Sequence, residues 1–285
     1  MNLTDTKTLK ALLERHGFRF SKSLGQNFLI ASWVPEKIAE AAKLDSRCGV
    51  LEIGPGVGCL TEQLAARAGK VVAIELDRAL KPVLAETLAG VEHAELLFAD
   101  ALKTDFPALA AEKFAGLRPQ CCANLPYSVT TPVLTALLKP RVFDRITVMI
   151  QREVARRICA KPGTAEYGAF TVFCNWYAVA EALFDVPPDC FFPRPKVCST
   201  VLRLKVLKTP PAPAADESFF FRVVRAAFNQ RRKTLENALA NGLGGVPKEK
   251  IAAAIATLGL DARIRGEALG FREFATLADR LNTPK

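Results

Sequence analysis

The stretch that most constrains this chain is a short apolar strand that ends abruptly in glycine. Val50-Leu51-Glu52-Ile53 reads as a buried strand, and Gly54-Pro55-Gly56-Val57-Gly58 turns it into a helix over residues 60–67. Glycines at such a turn let the backbone approach a ligand closely. Val71-Val72-Ala73-Ile74-Glu75 follows as a second strand and ends in an acid 21 residues after Gly54. An acid at that spacing is placed to hold ribose hydroxyls. The pair predicts a nucleoside-binding strand–helix–strand unit.

The alternation continues. Residues 96–100, 120–123 and 146–150 read as three more strands with helices among them, which predicts a parallel sheet covered on both faces. Gly54, Glu75, Asp100 and Asn124 then all fall at the C-terminal strand edge, where such sheets bind ligands. Asp100 is placed to accept a hydrogen bond from an adenine amino group. Asn124-Leu125-Pro126-Tyr127 leaves the fourth strand. The Asn124 side chain and the Leu125 carbonyl, in a turn stiffened by Pro126, are two acceptors suited to one exocyclic amino group. Tyr127 offers a flat face for the ring that bears it. The glycine turn and Glu75 do not by themselves choose between NAD and S-adenosylmethionine.

Outside that edge, a basic arm opens the chain, with a helix over residues 5–16 and Arg15, Arg19 and Lys22 near its end. Residues 23–29 read as a polar loop. Gln151 to Arg157 reads as a basic helix with Arg152 and Arg156 on one face. Residues 178–186 and 200–206 read as further strands. The proline-rich stretch from Pro187 carries Phe191, Phe192, Arg194 and Lys196, two aromatics and two cations suited to a base and its phosphate. Pro210 to Ala215 is a linker by composition. Beyond it the strands stop and helices are predicted over 217–228, 232–241, 247–257 and 272–281. This predicts a catalytic domain over 1–207 and a helical domain over 208–285.

Charge points to a polyanionic partner. The net charge is +10 over 285 residues, and residues 206–285 hold 13 Lys/Arg against 8 Asp/Glu. The densest basic patch is Asn229-Gln230-Arg231-Arg232-Lys233, suited to phosphate contacts. Eight cysteines form no C-x-x-C pair and the two histidines, His16 and His93, lie away from them, so no zinc or other metal site is expected. Cys121 and Cys122 read as strand packing, and the histidines get no role. No apolar run is long enough to span a membrane and no secretory core opens the chain, which predicts a cytoplasmic protein with reduced thiols.

These strings together resemble the rRNA adenine N6,N6-dimethyltransferase family, nearest to its bacterial small-subunit (KsgA-type) branch. The strings are Lys22-Ser23-Leu24-Gly25-Gln26-Asn27-Phe28-Leu29, Glu52 to Gly58, Ile74-Glu75-Leu76-Asp77, Asn124 to Tyr127, Phe191 to Val197, and Ala227 to Thr234. They occur in the family's order from about residue 20 onward. The resemblance implies an α/β, Rossmann-like S-adenosylmethionine-dependent methyltransferase sheet with a small C-terminal all-helical domain. It implies methylation of two neighbouring adenosines near the 3′ end of small-subunit rRNA during ribosome biogenesis. It also implies a partly assembled 30S particle as partner and a monomeric enzyme.

By the same resemblance, Asn27, Leu29, Gly54, Gly56, Glu75, Asp100 and Asn124 border the cofactor. Asn124, Leu125, Tyr127 and Phe191 act on the target base. Arg152, Arg156, Arg194, Lys196, Arg231, Arg232 and Lys233 are the candidate RNA contacts. The nearest rival is the Erm type, which methylates large-subunit rRNA; the Asn-Leu-Pro-Tyr form and the Asn229–Lys233 patch weigh against it. A DNA adenine methyltransferase usually has two prolines in its motif. An NAD oxidoreductase leaves Asn124 to Tyr127 unexplained, and a non-enzymatic assembly factor has no need of Glu75 or Asn124.

Overall fold

The computed structural model describes residues 1–21 and 24–282; Lys22 and Ser23 of the first quoted motif lie outside the described residues, as do 283–285. By contacts the chain groups into two compact units. The first comprises Met1–Ala155 with Ala178–Val206, and the second Arg156–Tyr177 with Leu207–Lys285.

The first unit opens with α1 (Thr6–Arg15), whose N-cap Asp5 accepts a hydrogen bond from the Thr8 amide and whose Leu9, Leu12 and Leu13 are buried. Then follow β1 (Phe28–Leu29), α2 (Trp33–Ala41), β2 (Cys48–Ile53), α3 (Cys59–Ala65), β3 (Lys70–Glu75), α4 (Lys81–Thr87) and β4 (Ala94–Phe98). The rest of the unit is α5 (Phe106–Lys113), β5 (Arg118–Asn124), α6 (Thr130–Leu138), β6 (Arg145–Gln151) and the start of α7 (Arg152–Ile158), then β7 (Ala178–Val186), β8 (Phe191–Phe192) and β9 (Ser199–Val206) after the α8 excursion given below. The main sheet has seven strands in the order β4-β3-β2-β5-β6-β9-β7. Strand β2 is buried at every position, as a central strand covered on both faces must be.

The expected α/β layering is present, but the sheet is not wholly parallel. β4, β3, β2, β5 and β6 run parallel, whereas β9 is antiparallel to both β6 and β7. The parallel pairs are joined through helices. β7 and β9 are joined by residues 187–198, which contain no α-helix, and a chain that reverses without a helical crossover pairs antiparallel. A second, two-stranded ribbon pairs Phe28 with Phe192 and Leu29 with Phe191. Both of its strands come from segments read as loops in the sequence.

The second unit contains the end of α7, α8 (Ala169–Tyr177), α9 (Glu217–Asn229), α10 (Leu235–Gly242), α11 (Lys248–Ala256) and α12 (Phe271–Leu281). This grouping differs from a break at 207/208 in the segment 156–177 and in the single residue Leu207. The reason is packing: Trp176 stacks on Phe220 with centroids 4.0 Å apart, and its indole donates to Glu217 at 2.9 Å. The Tyr177 hydroxyl donates to the same carboxylate. The large faces of Trp176 and Tyr177 are satisfied by α9, as buried aromatics with a polar handle require. No helix among the described residues is long and apolar enough to cross a membrane.

Candidate active site

Strands β3, β4 and β5 each deliver a polar side chain at or just past the C-terminal end, Glu75, Asp100 and Asn124, and with the glycine turn after β2 they line a cavity of about 260 Å³ in the first unit. Gly54, Gly56, Glu75, Asp100, Asn124, Leu125, Tyr127, Phe191, Asn27 and Leu29 all line it. The cavity therefore brings together the residues expected to border the cofactor and those expected to act on the target base, whereas Phe192, read with Phe191 as suited to a base, does not line it.

The turn after β2 holds Gly54 at φ +69°. A Cβ there would meet no atom within 4 Å, so it would project into open space that a ligand's backbone-hugging group can use instead. At Gly56, also with positive φ, a Cβ would come within 3.1 Å of the Phe28 ring.

Glu75 ends β3 and is buried. Burial pushes its carboxyl up, opposed by the amides of Asp77, Gly56 and Leu76. The Asp77 amide donates to Oε1 at 2.8 Å. Asp77 in turn accepts from the Gln26 side chain at 2.7 Å, which ties the segment before β1 to the end of β3. Asp100 accepts from the Leu102 amide at 2.9 Å through Oδ1, and its Oδ2 lies 4.0 Å from the Lys103 ammonium.

Asn124 is the last residue of β5. Its Nδ2 is 3.5 Å from the Asn27 carbonyl, a long donor contact that turns Oδ1 away from that carbonyl. Among the described residues none donates to Asn124 Oδ1 or to the Leu125 carbonyl; the Leu125 amide is already engaged by Met149 O at 3.1 Å. Two acceptors at the cavity are thus available. Tyr127 is half-buried, and its hydroxyl lies 2.7 Å from the Oγ of fully buried Ser199 at the start of β9. Burial first of all raises the Tyr127 phenol, so it stays protonated. Phe191 is buried on β8, held there by the Leu29 pairing.

Three lining or supporting groups were not singled out from sequence. Ser199 and Gln26 act through long-range contacts that no local spacing announces. Glu52 does carry a sequence signal, an acid inside a buried strand. It is 1% exposed and its Oε2 has no hydrogen-bond partner. Burial pushes this carboxyl up to about 8, with the Glu75 charge adding and the Thr61 hydroxyl opposing. Thr61 Oγ1 is close enough to oppose yet also makes no hydrogen bond of normal geometry.

The basic residues are arranged differently. Arg152, Arg156, Arg194, Lys196, Arg231, Arg232 and Lys233 are all exposed and none lines the cavity. Arg152 lies 3.7 Å from Asp185, and Arg194 3.0 Å from Asp189. Arg231 is engaged within the second unit, donating to the Ala165 carbonyl at 2.8 Å and to Glu267 at 3.2 Å. Cys121 and Cys122 are buried in β5, and burial pushes both thiols up, which keeps them unreactive.

A model of the family described as ribosomal RNA adenine dimethylase matches residues 17–281. A ribosomal RNA small subunit methyltransferase A from Geobacillus thermodenitrificans is 49% identical over 276 residues, covering 95% of this chain and 94% of the relative. Another of that name from Anoxybacillus flavithermus is 48% identical over 282 residues, covering 98% and 95%. Among solved structures, a dimethyladenosine transferase from Plasmodium falciparum superposes with a TM-score of 0.73 at 25% identity, covering 88% of this chain and 95% of that one. The 23S rRNA methyltransferase ErmE superposes at 0.67 and 27%, covering 90% and 100%.

Proposed function

The chain belongs to the ribosomal RNA adenine dimethylase family, and from that premise we propose that it transfers methyl groups from S-adenosylmethionine to N6 of two adjacent adenosines near the 3′ end of small-subunit rRNA, giving N6,N6-dimethyladenosine. The relatives at 48–49% identity carry small-subunit names, whereas the large-subunit enzyme ErmE is only 27% identical, which favours this reading over an Erm-type activity.

The observation that carries the reading is the pair of free acceptors, Asn124 Oδ1 and Leu125 O, on a cavity that Tyr127 and Phe191 also line. The cofactor's residues fit their task. Gly54 leaves open room at the turn, Glu75 is a buried carboxylate for ribose hydroxyls, and Asp100 keeps one oxygen clear of its own cap for an adenine amine. Asn27, Leu29 and Gly56 complete that wall. S-adenosylmethionine supplies an electrophilic methyl group on a sulfonium.

An adenine amino group is a poor nucleophile because its lone pair is delocalised into the ring. Accepting both of its N–H bonds with Asn124 and Leu125 favours a pyramidal nitrogen whose lone pair is free. Tyr127, held by Ser199, and Phe191 flank the base that has been splayed out of its RNA. Catalysis here is position and electrostatics, and no strong base is called for, since the proton leaves after the nitrogen has reacted. The exposed cations Arg152, Arg156, Arg194, Lys196, Arg232 and Lys233 contact phosphates, and the helices beyond residue 207 act as the RNA-docking domain. The enzyme works as a cytoplasmic monomer on a partly assembled 30S particle, whose folded RNA offers the phosphate geometry that one base pocket cannot read.

The test is nucleoside mass spectrometry of rRNA from cells with the gene, without it, and with Asn124→Ala. Dimethyladenosine in small-subunit rRNA is expected only with the intact gene. Its persistence in the deletion strain, or with Asn124→Ala, refutes the assignment or the mechanism respectively.

A further inference from the structure

We propose that Phe20, with Lys10 and Arg19 beside it, forms a second RNA-contact ridge that stacks one unpaired nucleotide next to the base entering the cavity. The inference rests on the rRNA reading above and adds a surface to it.

Among the aromatic side chains of the described residues, only Phe20 and Trp33 are substantially exposed, Phe20 at 37%. Phe20 is not loose. Its ring lies 5.6 Å from Phe192 edge-to-face, 5.6 Å from Phe18 edge-to-face and 5.5 Å from Phe28. Three rings pack against it, so presenting its exposed part to a base costs little ordering entropy. A single exposed ring is common on protein surfaces; what sets Phe20 apart is its place among cations and next to the cavity.

The surroundings favour a nucleotide over an apolar protein partner. The Lys10 ammonium stands 4.8 Å over the Phe192 ring, and Arg19 directly precedes Phe20 and is exposed. Neither cation forms an ion pair with a described residue. An aromatic face flanked by cations that no described carboxylate neutralises is the pattern that binds single-stranded nucleic acid: the ring takes a base of any identity and the cations take its phosphates.

The ridge is continuous with the cavity. Phe28 belongs to the ridge cluster and also lines the cavity, while Phe192 adjoins Phe191, which lines it too. The β1–β8 pairing of Phe28 with Phe192 and Leu29 with Phe191 locks the two together. The arm that carries Lys10 is fixed as well. Leu9, Leu12 and Leu13 of α1 pack in one buried cluster with Val57, Leu80, Val83 and Leu84, and His16 Nε2 lies 2.7 Å from Glu86.

The test uses the full-length protein and a partly assembled 30S particle reconstituted on small-subunit rRNA that carries 2-aminopurine at the nucleotide next to the methylated adenosine. Phe20→Leu keeps the apolar packing and removes the stacking face. It should raise KM for RNA about fivefold or more and lower the quenching of the probe, with S-adenosylmethionine affinity and kcat at saturating RNA unchanged. Lys10→Gln with Arg19→Gln should lower the salt slope of log affinity by about 0.7 for each cation removed. Unchanged KM, quenching and slope overturn the ridge. A loss of cofactor affinity alongside RNA affinity also overturns it, since Phe20 would then be supporting Phe28. Absence of methyl transfer by the unaltered protein instead strikes at the proposed function, not at the ridge.

Discussion

Glu52→Gln should change how the stability of the first unit depends on pH. Glu52 sits in β2 at 1% exposure with an unpartnered Oε2, and its carboxyl is pushed up to about 8 from an ordinary value of 4.5. The neighbours that bear on it are the Glu75 carboxylate, the Thr61 hydroxyl and the thiols of Cys59, Cys121 and Cys122. Below pH 4.5 both folded and unfolded chains hold the proton and the group contributes nothing. Between 4.5 and 8 the unfolded chain releases it and the folded chain does not, so stability falls as pH rises. At about 1.36 kcal/mol per pH unit, the loss between pH 5 and pH 7 is about 2.5 kcal/mol, and it levels off above pH 8. Glutamine keeps the shape and cannot titrate. Native-state hydrogen exchange of β2 and β5 amides reads this unit separately from the helical one. The stability gap between variant and unaltered protein should widen by about that amount from pH 5 to pH 7. Parallel pH profiles would mean that Glu52 ionises normally in the folded chain and would refute the argument.

Three further outcomes follow from the same geometry. Glu75→Ala removes the buried carboxylate and should weaken S-adenosylmethionine binding by about 1.5–3 kcal/mol per lost hydrogen bond, measured by calorimetry; unchanged affinity removes Glu75 from the site. Ser199→Ala leaves the Tyr127 hydroxyl without its 2.7 Å partner, at a cost of about 1–3 kcal/mol, which should appear as weaker RNA turnover with intact cofactor binding. In a double-mutant cycle with Tyr127→Phe the two losses should not add, and simple additivity would show that the contact is idle. Arg232→Ala with Lys233→Ala should lower the salt slope of particle binding by somewhat under two units, whereas Arg231→Ala should also destabilise the helical unit by breaking its ties to Ala165 and Glu267. Equal behaviour of the double variant and Arg231→Ala in salt titration and thermal unfolding counts against that division of labour.

Much of this protein is legible in one dimension. The period of apolar residues sets where β2, β3, β5, β6 and the C-terminal helices lie, because a strand or helix must hide one face and its own sequence records which. The spacing of Gly54, Glu75, Asp100 and Asn124 puts them at one sheet edge, because each closes a strand of a parallel set, and the order of the motifs identifies the family. What tertiary structure decided are pairings between segments far apart in the chain. Phe28-Leu29 and Phe191-Phe192 each read as loop, since two residues carry no periodicity; only their mutual hydrogen bonding makes them strands and seats Phe191 on the cavity. The antiparallel β9, the hold of Ser199 on Tyr127 and the capture of Arg231 by Ala165 and Glu267 are partner choices of the same kind. Residues 156–177 precede a strand of the first unit in sequence, yet Trp176 and Tyr177 can bury their rings and satisfy their polar tips only against α9. Local preference writes an element into the sequence, but which surface it meets is settled by the free energy of burial over the whole chain.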